Sequence, residues 1–247
     1  MDPSREPIPG DGLGVTHRTW ENARDALRAH LVSFVPAQVI TLTPEMCVRT
    51  SEDAGFRAIV ERAAVVVADG VGVVWGEARL TGRHTERIPG IDLANWALEE
   101  VDRMAGRVYL LGGRSERVER AAERLSRAFP RVTLAGWRDG YFRAEEEAEV
   151  VAAIAETTPH LVLVGMGSPR QERFISSYLH ELRCAVAMGV GGAIDVWSGA
   201  VRRAPALFRA TGTEWMYRTL TEPGARLRRL PTLWRYVSLV LRKRRLK

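Results

Sequence analysis

The chain has 247 residues, 46% of them hydrophobic and 27% charged, an ordinary globular composition that argues against a collagen-like, disulfide-rich or largely disordered protein. No apolar run approaches the roughly 18 residues of a membrane-spanning helix, and Cys47 and Cys184 lack the spacing of a metal site. The excess positive charge lies at the C-terminus: nine Lys/Arg and no acid follow Glu222, whereas the preceding chain has 27 basic and 30 acidic residues. A basic C-terminal segment favours an acidic partner surface, either anionic lipid or nucleic acid.

The first half of the chain predicts helices that alternate with short buried strands. Residues 1–12 are rich in Pro, Gly and charge and lack the apolar core of a signal peptide, so we expect a flexible leader. Apolar spacing then predicts, in chain order, a helix over 20–33, a strand over 37–42, the end of a helix over 56–62, a strand over 63–68, and helices over 71–80 and 92–105 with Asp92 as an N-cap.

The second half continues this alternation. The pattern predicts a strand over 108–111, a helix over 115–129 capped by Ser115, a strand over 132–135, a helix over 144–155, a strand over 161–165, a helix over 169–182 and a strand over 185–189. We therefore expect an open, mostly parallel Rossmann-like α/β sheet with helices on both faces. The strand pattern stops within 198–213, which predicts a catalytic domain over 13–200 and a basic helical appendage over 201–247.

Two strands in the C-terminal third break into glycines in the same way. Gly165-Met-Gly167 and Gly189-Val-Gly191-Gly192 are each followed by a predicted helix. Glycine turns let backbone N–H groups approach a ligand closely, and a helix N-terminus attracts anions, so we expect a phosphate-bearing ligand here. Neither turn has the third glycine of the dinucleotide fingerprint, which weakens but does not remove a nicotinamide-dependent oxidoreductase as an alternative.

Polar residues follow the predicted strands at positions that share one edge of the sheet, where ligands bind in open α/β folds. Asp69 ends a buried strand and is either a turn or helix-cap residue or a general base for an incoming hydroxyl. Thr43 precedes a proline, which favours extended backbone and leaves its hydroxyl at the same edge.

Other motifs have a structural and a functional interpretation. Ser168, Pro169 and Gln171 form a capping box pattern, so Gln171 either closes its own helix or, with Arg170, faces a ligand. Arg202-Arg203 is either a solvated loop or a pair that neutralises a diphosphate.

The tail combines charge with helical spacing. Leu227, Leu230, Trp234, Val237 and Leu241 fall on one stripe, and Pro231 is expected to interrupt the helix. This pattern predicts either a terminal helix packed on its own domain or a basic amphipathic helix at a membrane surface. A nucleic-acid-binding module is a further alternative, although the net negative charge of the preceding residues offers it no supporting patch.

Taken together, the motifs resemble the WecG/TagA/CpsF glycosyltransferases, family 26 of the glycosyltransferases. The resemblance covers the chain in order from about Gln38 to Pro223. The matching segments are Thr43-Pro44-Glu45, 68–74, Glu86-Arg87-Ile-Pro-Gly90-Ile-Asp92-Leu93, Tyr109-Leu-Leu-Gly112-Gly113, Gly140-Tyr141-Phe142, Gly165 to Glu172, Met188 to Asp195, Gly199 to Pro205, Glu214 to Arg218, and Glu222-Pro223.

This resemblance implies an inverting, metal-independent and cofactor-free transfer of a sugar from a UDP-sugar to a polyprenyl-diphosphate-linked sugar in cell-wall or teichoic-acid-like polysaccharide synthesis. In the best-known branch of the family the donor is UDP-N-acetylmannosamine and the acceptor is undecaprenyl-diphosphate-N-acetylglucosamine, which makes N-acetylmannosamine the expected sugar here. The family's C-terminal appendage helps to target the membrane and supplies basic residues to the active site. We therefore expect a cytoplasmic protein held peripherally at the inner face of an anionic membrane, with no nucleic-acid partner, and leave a homo-oligomer open.

The matching positions imply particular site residues. Asp69 is the expected base and Thr43 a positioning hydroxyl, and Arg218, with Arg226 or Arg229, is expected to steady the leaving UDP. Glu45 stands where many relatives carry Asn, which predicts altered donor recognition or a competing base. The expected substrate-binding residues are Glu45, Arg87, Gly90, Asp92, Gly112, Tyr141, Gly165, Gly167, Gln171, Gly191, Gly192, Asp195, Arg202, Arg203 and Arg218.

Overall fold

The computed structural model describes residues 12–205, 208 and 230–245. Residues 1–11 of the expected leader and the positions Arg218, Arg226 and Arg229 lie outside the described residues. The division into leader, catalytic domain and appendage stays a prediction.

Six strands form a parallel sheet, which confirms the predicted α/β class. They are β1 (Ala37–Leu42), β2 (Val65–Ala68), β3 (Arg107–Gly112), β4 (Thr133–Arg138), β5 (Leu161–Gly165) and β6 (Val186–Gly189). Their spatial order is β2-β1-β6-β5-β3-β4. The four central strands are built mainly from buried Val, Leu, Ile, Ala and Met, the composition expected of parallel strands covered on both faces.

Helices connect the strands. The described helices are α1 (Trp20–Ser33), α2 (Pro44–Glu52), α3 (Ala54–Arg62), α4 (Val71–Thr81), α5 (Gly90–Arg103), α6 (Ser115–Ala128), α7 (Glu147–Thr157, after a 3₁₀ turn at Ala144–Glu146), α8 (Arg170–Tyr178), α9 (Ala193–Trp197) and α10 (Leu230–Arg245). α2 was not predicted, because its short polar sequence gives little apolar periodicity.

Two layers of helices cover the sheet. α1, α5, α6 and α9 pack on one face, and the other face is covered by α2, α3, α4 and α10 over one half and by α7 and α8 over the other. The connection that leaves β3 therefore runs over one face, whereas the connection that leaves β5 runs over the opposite face. This reversal opens a crevice at the carboxyl ends of the strands, the usual ligand position in such sheets.

Three predicted caps are wrong. α5 begins at Gly90 with Pro89 as its N-cap, so Asp92 lies inside the first turn. Ser115 is the first residue of α6 and makes no capping hydrogen bond. α8 begins at Arg170 without a side-chain cap, so Ser168 does not form the predicted capping box.

The terminal helix α10 packs on α2 and α4, one of the two predicted outcomes, but the predicted stripe contributes only Val237 to the packed face among the described residues. Tyr236 is 1% exposed and Val240 is fully buried, whereas Leu230, Trp234 and Leu241 of the predicted stripe are exposed, with Trp234 at 72%. Pro231 lies in the first turn, where its missing N–H is tolerated. Among the described residues, no helix is both long and apolar enough to cross a bilayer.

Candidate active site

The ends of β1 and β2 bring the two predicted catalytic residues onto neighbouring turns. The N–H of Asp69 donates to the carbonyl oxygen of Leu42 at 3.0 Å, directly beside Thr43. Thr43 is the N-cap of α2, and its hydroxyl oxygen accepts the N–H of Met46 at 3.4 Å. This bond uses an acceptor site of the hydroxyl, so its proton can still be donated.

Arg87 is held against the same turn. Its Nε donates to the carbonyl oxygen of Asp69 at 3.2 Å, and the N–H of the next residue, Ile88, donates to the carbonyl oxygen of Ala68 at 2.8 Å. The loop before α5 is thereby fastened along the end of β2. At the start of α5, Gly90 lies against Thr41, whose Oγ1 would be 2.8 Å from a Cβ atom at that position. The structure thus gathers Thr41, Thr43, Asp69, Arg87 and Gly90 at adjoining strand ends.

Two predicted substrate-binding acids are engaged in ion pairs. Asp92 accepts a hydrogen bond from Arg203 Nη2 at 2.6 Å, which ties the segment after α9 to the start of α5. Asp195 accepts one from Arg117 Nη1 at 2.7 Å, which joins α9 to α6, and this bond, with the negative charge of Asp195, raises the pKa of Arg117. Arg202 is exposed.

A single amide joins the two glycine turns. Oε1 of Gln171 accepts the N–H of Gly167 and the N–H of Gly191, each at 3.1 Å, and its Nε2 donates to Oε1 of Glu172 at 2.7 Å. We expected both glycine N–H groups to face a phosphate, but here they meet the oxygen of a buried side chain. Gln171 therefore has a structural role: its side chain connects the turn after β5 with the turn after β6.

A third glycine turn packs against the first. The N–H of Gly113 donates to the carbonyl oxygen of Gly165 at 3.1 Å, and the N–H of Gly140 donates to the carbonyl oxygen of Gly113 at 3.0 Å. Gly112 has φ of 132°, and a Cβ atom there would lie 2.3 Å from the oxygen of Gly165. Only glycine fits at that position, because both the backbone conformation and the space exclude a side chain.

Arg170 holds the neighbouring loop that carries Tyr141. Its Nη1 and Nη2 donate to the carbonyl oxygens of Gly140 and Phe142 at 2.7 and 2.8 Å, and its guanidinium lies 4.7 Å from the centre of the Phe142 ring. Tyr141, between the two bonded carbonyls, is 75% exposed at the rim. Arg170 therefore positions a loop, and its guanidinium is engaged with protein groups.

Sequence reasoning missed two polar residues of this edge, Arg117 and Glu172. Arg117 lies in a helix rich in Arg and Glu, and nothing in its local sequence distinguishes it from its neighbours. Glu172 is 3% exposed although it occupies the first turn of a helix, where a solvated acid is the usual expectation. Glu172 is buried whereas the next residue, Arg173, is exposed, and only the packing of α8 onto the sheet reveals this difference in burial.

Comparisons with known proteins identify relatives of this sequence. The sequence model described as "Glycosyl transferase WecG/TagA/CpsF family" matches residues 11–247. A Bacillus spizizenii protein named N-acetylglucosaminyldiphosphoundecaprenol N-acetyl-beta-D-mannosaminyltransferase is 37% identical over 91% of this chain and 91% of its own. Proteins of the same name from Bacillus subtilis and Staphylococcus aureus are 30% and 34% identical, over 89% and 83% of this chain and 85% and 81% of their own.

The Arg170 contacts predict a local effect of its removal. Arg170→Ala deletes two charge-assisted hydrogen bonds and a cation–π contact, so we expect the amide of Gly140 to exchange with solvent about tenfold faster and the free energy of unfolding to fall by about 1–3 kcal/mol. Hydrogen exchange and urea unfolding measure the two effects. Arg173→Ala on the same helix is the control, because Arg173 is exposed and pairs with Asp53. Unchanged exchange over 139–143 in Arg170→Ala would contradict the positioning role.

Proposed function

Because the chain belongs to the WecG/TagA/CpsF family of glycosyltransferases, we propose that it transfers N-acetylmannosamine from UDP-N-acetylmannosamine to undecaprenyl-diphosphate-linked N-acetylglucosamine. The name shared by the three relatives supports the sugar and the acceptor. The UDP donor, the inversion of configuration and the independence of metal rest on the family resemblance. Family membership disfavours the oxidoreductase and nucleic-acid alternatives.

The observation that carries the mechanism is the adjacency of Asp69 and Thr43 at neighbouring strand ends. In the proposed reaction the Asp69 carboxylate removes the proton of the acceptor hydroxyl while that oxygen attacks the anomeric carbon of the donor. The bond from the anomeric carbon to the UDP oxygen breaks on the opposite side, so configuration inverts and UDP leaves with the electron pair. Thr43 donates its hydroxyl proton to an oxygen of the substrate and orients the reacting sugar.

The leaving diphosphate requires positive charge, and the structure suggests which side chains provide it. Arg87 is held beside Asp69 by its Nε, so its guanidinium lies next to the reacting centre. Arg203 is held at the same edge by its ion pair with Asp92. We assign Arg218 of the appendage to the same diphosphate on the basis of the family resemblance. Arginine suits this task because its planar fork matches phosphate oxygens.

The donor's uridine has a candidate platform in Tyr141. Its exposed ring is held at the rim by the Arg170 contacts with the carbonyls on either side. A flat aromatic surface can stack on a nucleobase without any rearrangement of the backbone. Gly165, Gly167, Gly191 and Gly192, joined through Gln171, form the adjoining floor.

We further propose that α10 docks the protein on an anionic membrane at the inner face. The helix is anchored by Tyr236, whose hydroxyl donates to the carbonyl oxygen of Gly72 at 2.7 Å, three residues from Asp69. Its exposed face presents Leu233 and Trp234, and Val71 and Trp75 of α4 are exposed close by. Apolar side chains among many Lys/Arg suit the interface of an anionic bilayer, which would bring a lipid-linked acceptor to the base.

The role of Asp69 predicts a large kinetic effect. Asp69→Asn keeps the shape of the side chain and removes the base, so we expect the rate of UDP release at saturating substrate to fall by about 10²–10⁴-fold. Glu45→Gln is the matched control for the competing acid on α2, and it should change donor preference while retaining turnover. A near-normal rate in Asp69→Asn, with the large loss appearing in Glu45→Gln, would transfer the base role to Glu45.

The exposed face of α10 predicts a loss of membrane binding. Leu233→Ala with Trp234→Ala removes apolar surface that is exposed in the folded protein, so we expect about tenfold weaker co-sedimentation with anionic vesicles at an unchanged melting temperature. Trp137→Ala, a change at another exposed tryptophan, should leave binding intact. High salt should release the wild-type protein in part. Equal vesicle binding by wild type and the double variant would refute the docking face.

A further inference from the structure

Glu172 is a buried acid that the proposed reaction does not use. Its side chain is 3% exposed. Oε1 accepts the Nε2 hydrogen of Gln171 at 2.7 Å, while Oε2 is buried without a hydrogen-bond partner among the described residues. Burial raises the pKa of this carboxyl, and the side chains of Gln171 and Ser168 and the charge of Arg49 oppose that rise. A buried carboxyl with an unsatisfied oxygen is costly, so its presence calls for a compensating role.

The partners of Gln171 fix which way its amide points. Two backbone N–H groups, from Gly167 and Gly191, converge on Oε1, and the carboxyl of Glu172 faces Nε2. If the amide were reversed, its NH₂ would face two donors and its oxygen would face the carboxyl oxygen, so three favourable contacts would become repulsive. Glu172 therefore helps to select the orientation in which one oxygen joins both glycine turns.

Glu172 is itself fixed to the neighbouring strand. Its carbonyl oxygen accepts Nε2 of Gln38 at 2.9 Å, which ties the first turn of α8 to β1. The Gln171 amide also lies against the end of β6, where a Cβ atom on Gly189 would be 2.6 Å from Nε2. A continuous set of buried contacts thus connects β1, through Glu172 and Gln171, to the turns after β5 and β6.

We propose that Glu172 is a positioning residue, whose Oε1 holds the Gln171 amide so that the two glycine turns stay joined in the geometry that receives the donor. The role in donor binding rests on the proposed function, whereas the role in joining the turns does not. The required property is an acceptor oxygen at the position of Oε1, and a neutral amide oxygen supplies it as well as a carboxyl oxygen does.

Three substitutions at one position test this role. Glu172→Gln keeps an acceptor and removes the charge; Glu172→Leu removes the acceptor at similar volume; Glu172→Asp keeps the charge but withdraws the carboxyl by one methylene. We expect the amides of Gly167 and Gly191 to exchange about tenfold faster in the Leu and Asp variants, as for the loss of one hydrogen bond, and at nearly the wild-type rate in Glu172→Gln. This readout needs no substrate, and Glu172→Asp serves if the Leu variant does not fold.

Steady-state kinetics of UDP release extend the test to the donor. Glu172→Leu and Glu172→Asp should raise the KM for the UDP-sugar about tenfold with kcat within about threefold, since binding is weakened before the chemical step. Glu172→Gln should restore the KM. Because Glu172 acts through Gln171, the double variant Gln171→Leu/Glu172→Leu should be no worse than Gln171→Leu alone.

Opposite results separate the two claims. Wild-type amide exchange in folded Glu172→Leu or Glu172→Asp, equal damage in Glu172→Gln, or additive effects in the double variant would overturn the positioning role. Failure of the wild-type protein to release UDP from any UDP-sugar would instead count against the proposed function, and the exchange measurements would still decide the role of Glu172.

Discussion

One amide oxygen, Oε1 of Gln171, accepts the N–H groups of Gly167 and Gly191 and so joins the ends of β5 and β6. The strand ends leave no room for a Cβ atom, as at Gly165, where a Cβ would lie 2.9 Å from the oxygen of Gly191, whereas Gly167 and Gly191 face open space and have positive φ angles of 78° and 51°, which favour glycine. From the sequence alone, the glycines predict that a phosphate approaches the backbone N–H groups of these turns. In the structure the N–H groups of Gly167 and Gly191 meet the Gln171 oxygen, and the proposed function assigns binding of the diphosphate to arginine side chains at the same edge.

The ends of β1 and β2 form the other half of the candidate site, and they present a carboxylate and a hydroxyl where β5 and β6 present glycine turns. Asp69 and Thr43 follow adjoining strands, and hydrogen bonds from Asp69 to Leu42 and from Arg87 to Asp69 hold the turns in register. The helices that begin at these turns, α2 and α4, are also the ones on which α10 packs. The bond from Tyr236 fastens this helix to Gly72, three residues after Asp69. The helix proposed to face the membrane and the carboxylate proposed as the base are thus attached to the same pair of helices.

Much of the scaffold can be predicted from the sequence because it depends on local burial. β1 and α1 have the predicted bounds, and all six strands lie where apolar runs indicated them. Features that depend on tertiary contacts were not predictable: Asp92 is an ion-pair partner of Arg203 and not a cap, and Gln171 reaches across to another turn. Packing of the terminal helix on its own domain was one of the two predicted outcomes, but the choice of buried residues was not predictable: Tyr236 packs against the small Gly76 of α4, and Leu230, Trp234 and Leu241 of the predicted stripe are exposed. The gathering of site residues at one edge was predictable, but their partners were not.

The central claim is that this edge transfers a sugar from a UDP-linked donor to a lipid-linked acceptor. The most direct measurement is release of UDP from a panel of UDP-sugars, with and without a lipid-diphosphate-N-acetylglucosamine analogue as acceptor, followed by determination of the new linkage. The account predicts acceptor-dependent release from UDP-N-acetylmannosamine and a product of inverted anomeric configuration. Absence of acceptor-dependent release with every donor, or a product that retains the donor's configuration, would contradict it.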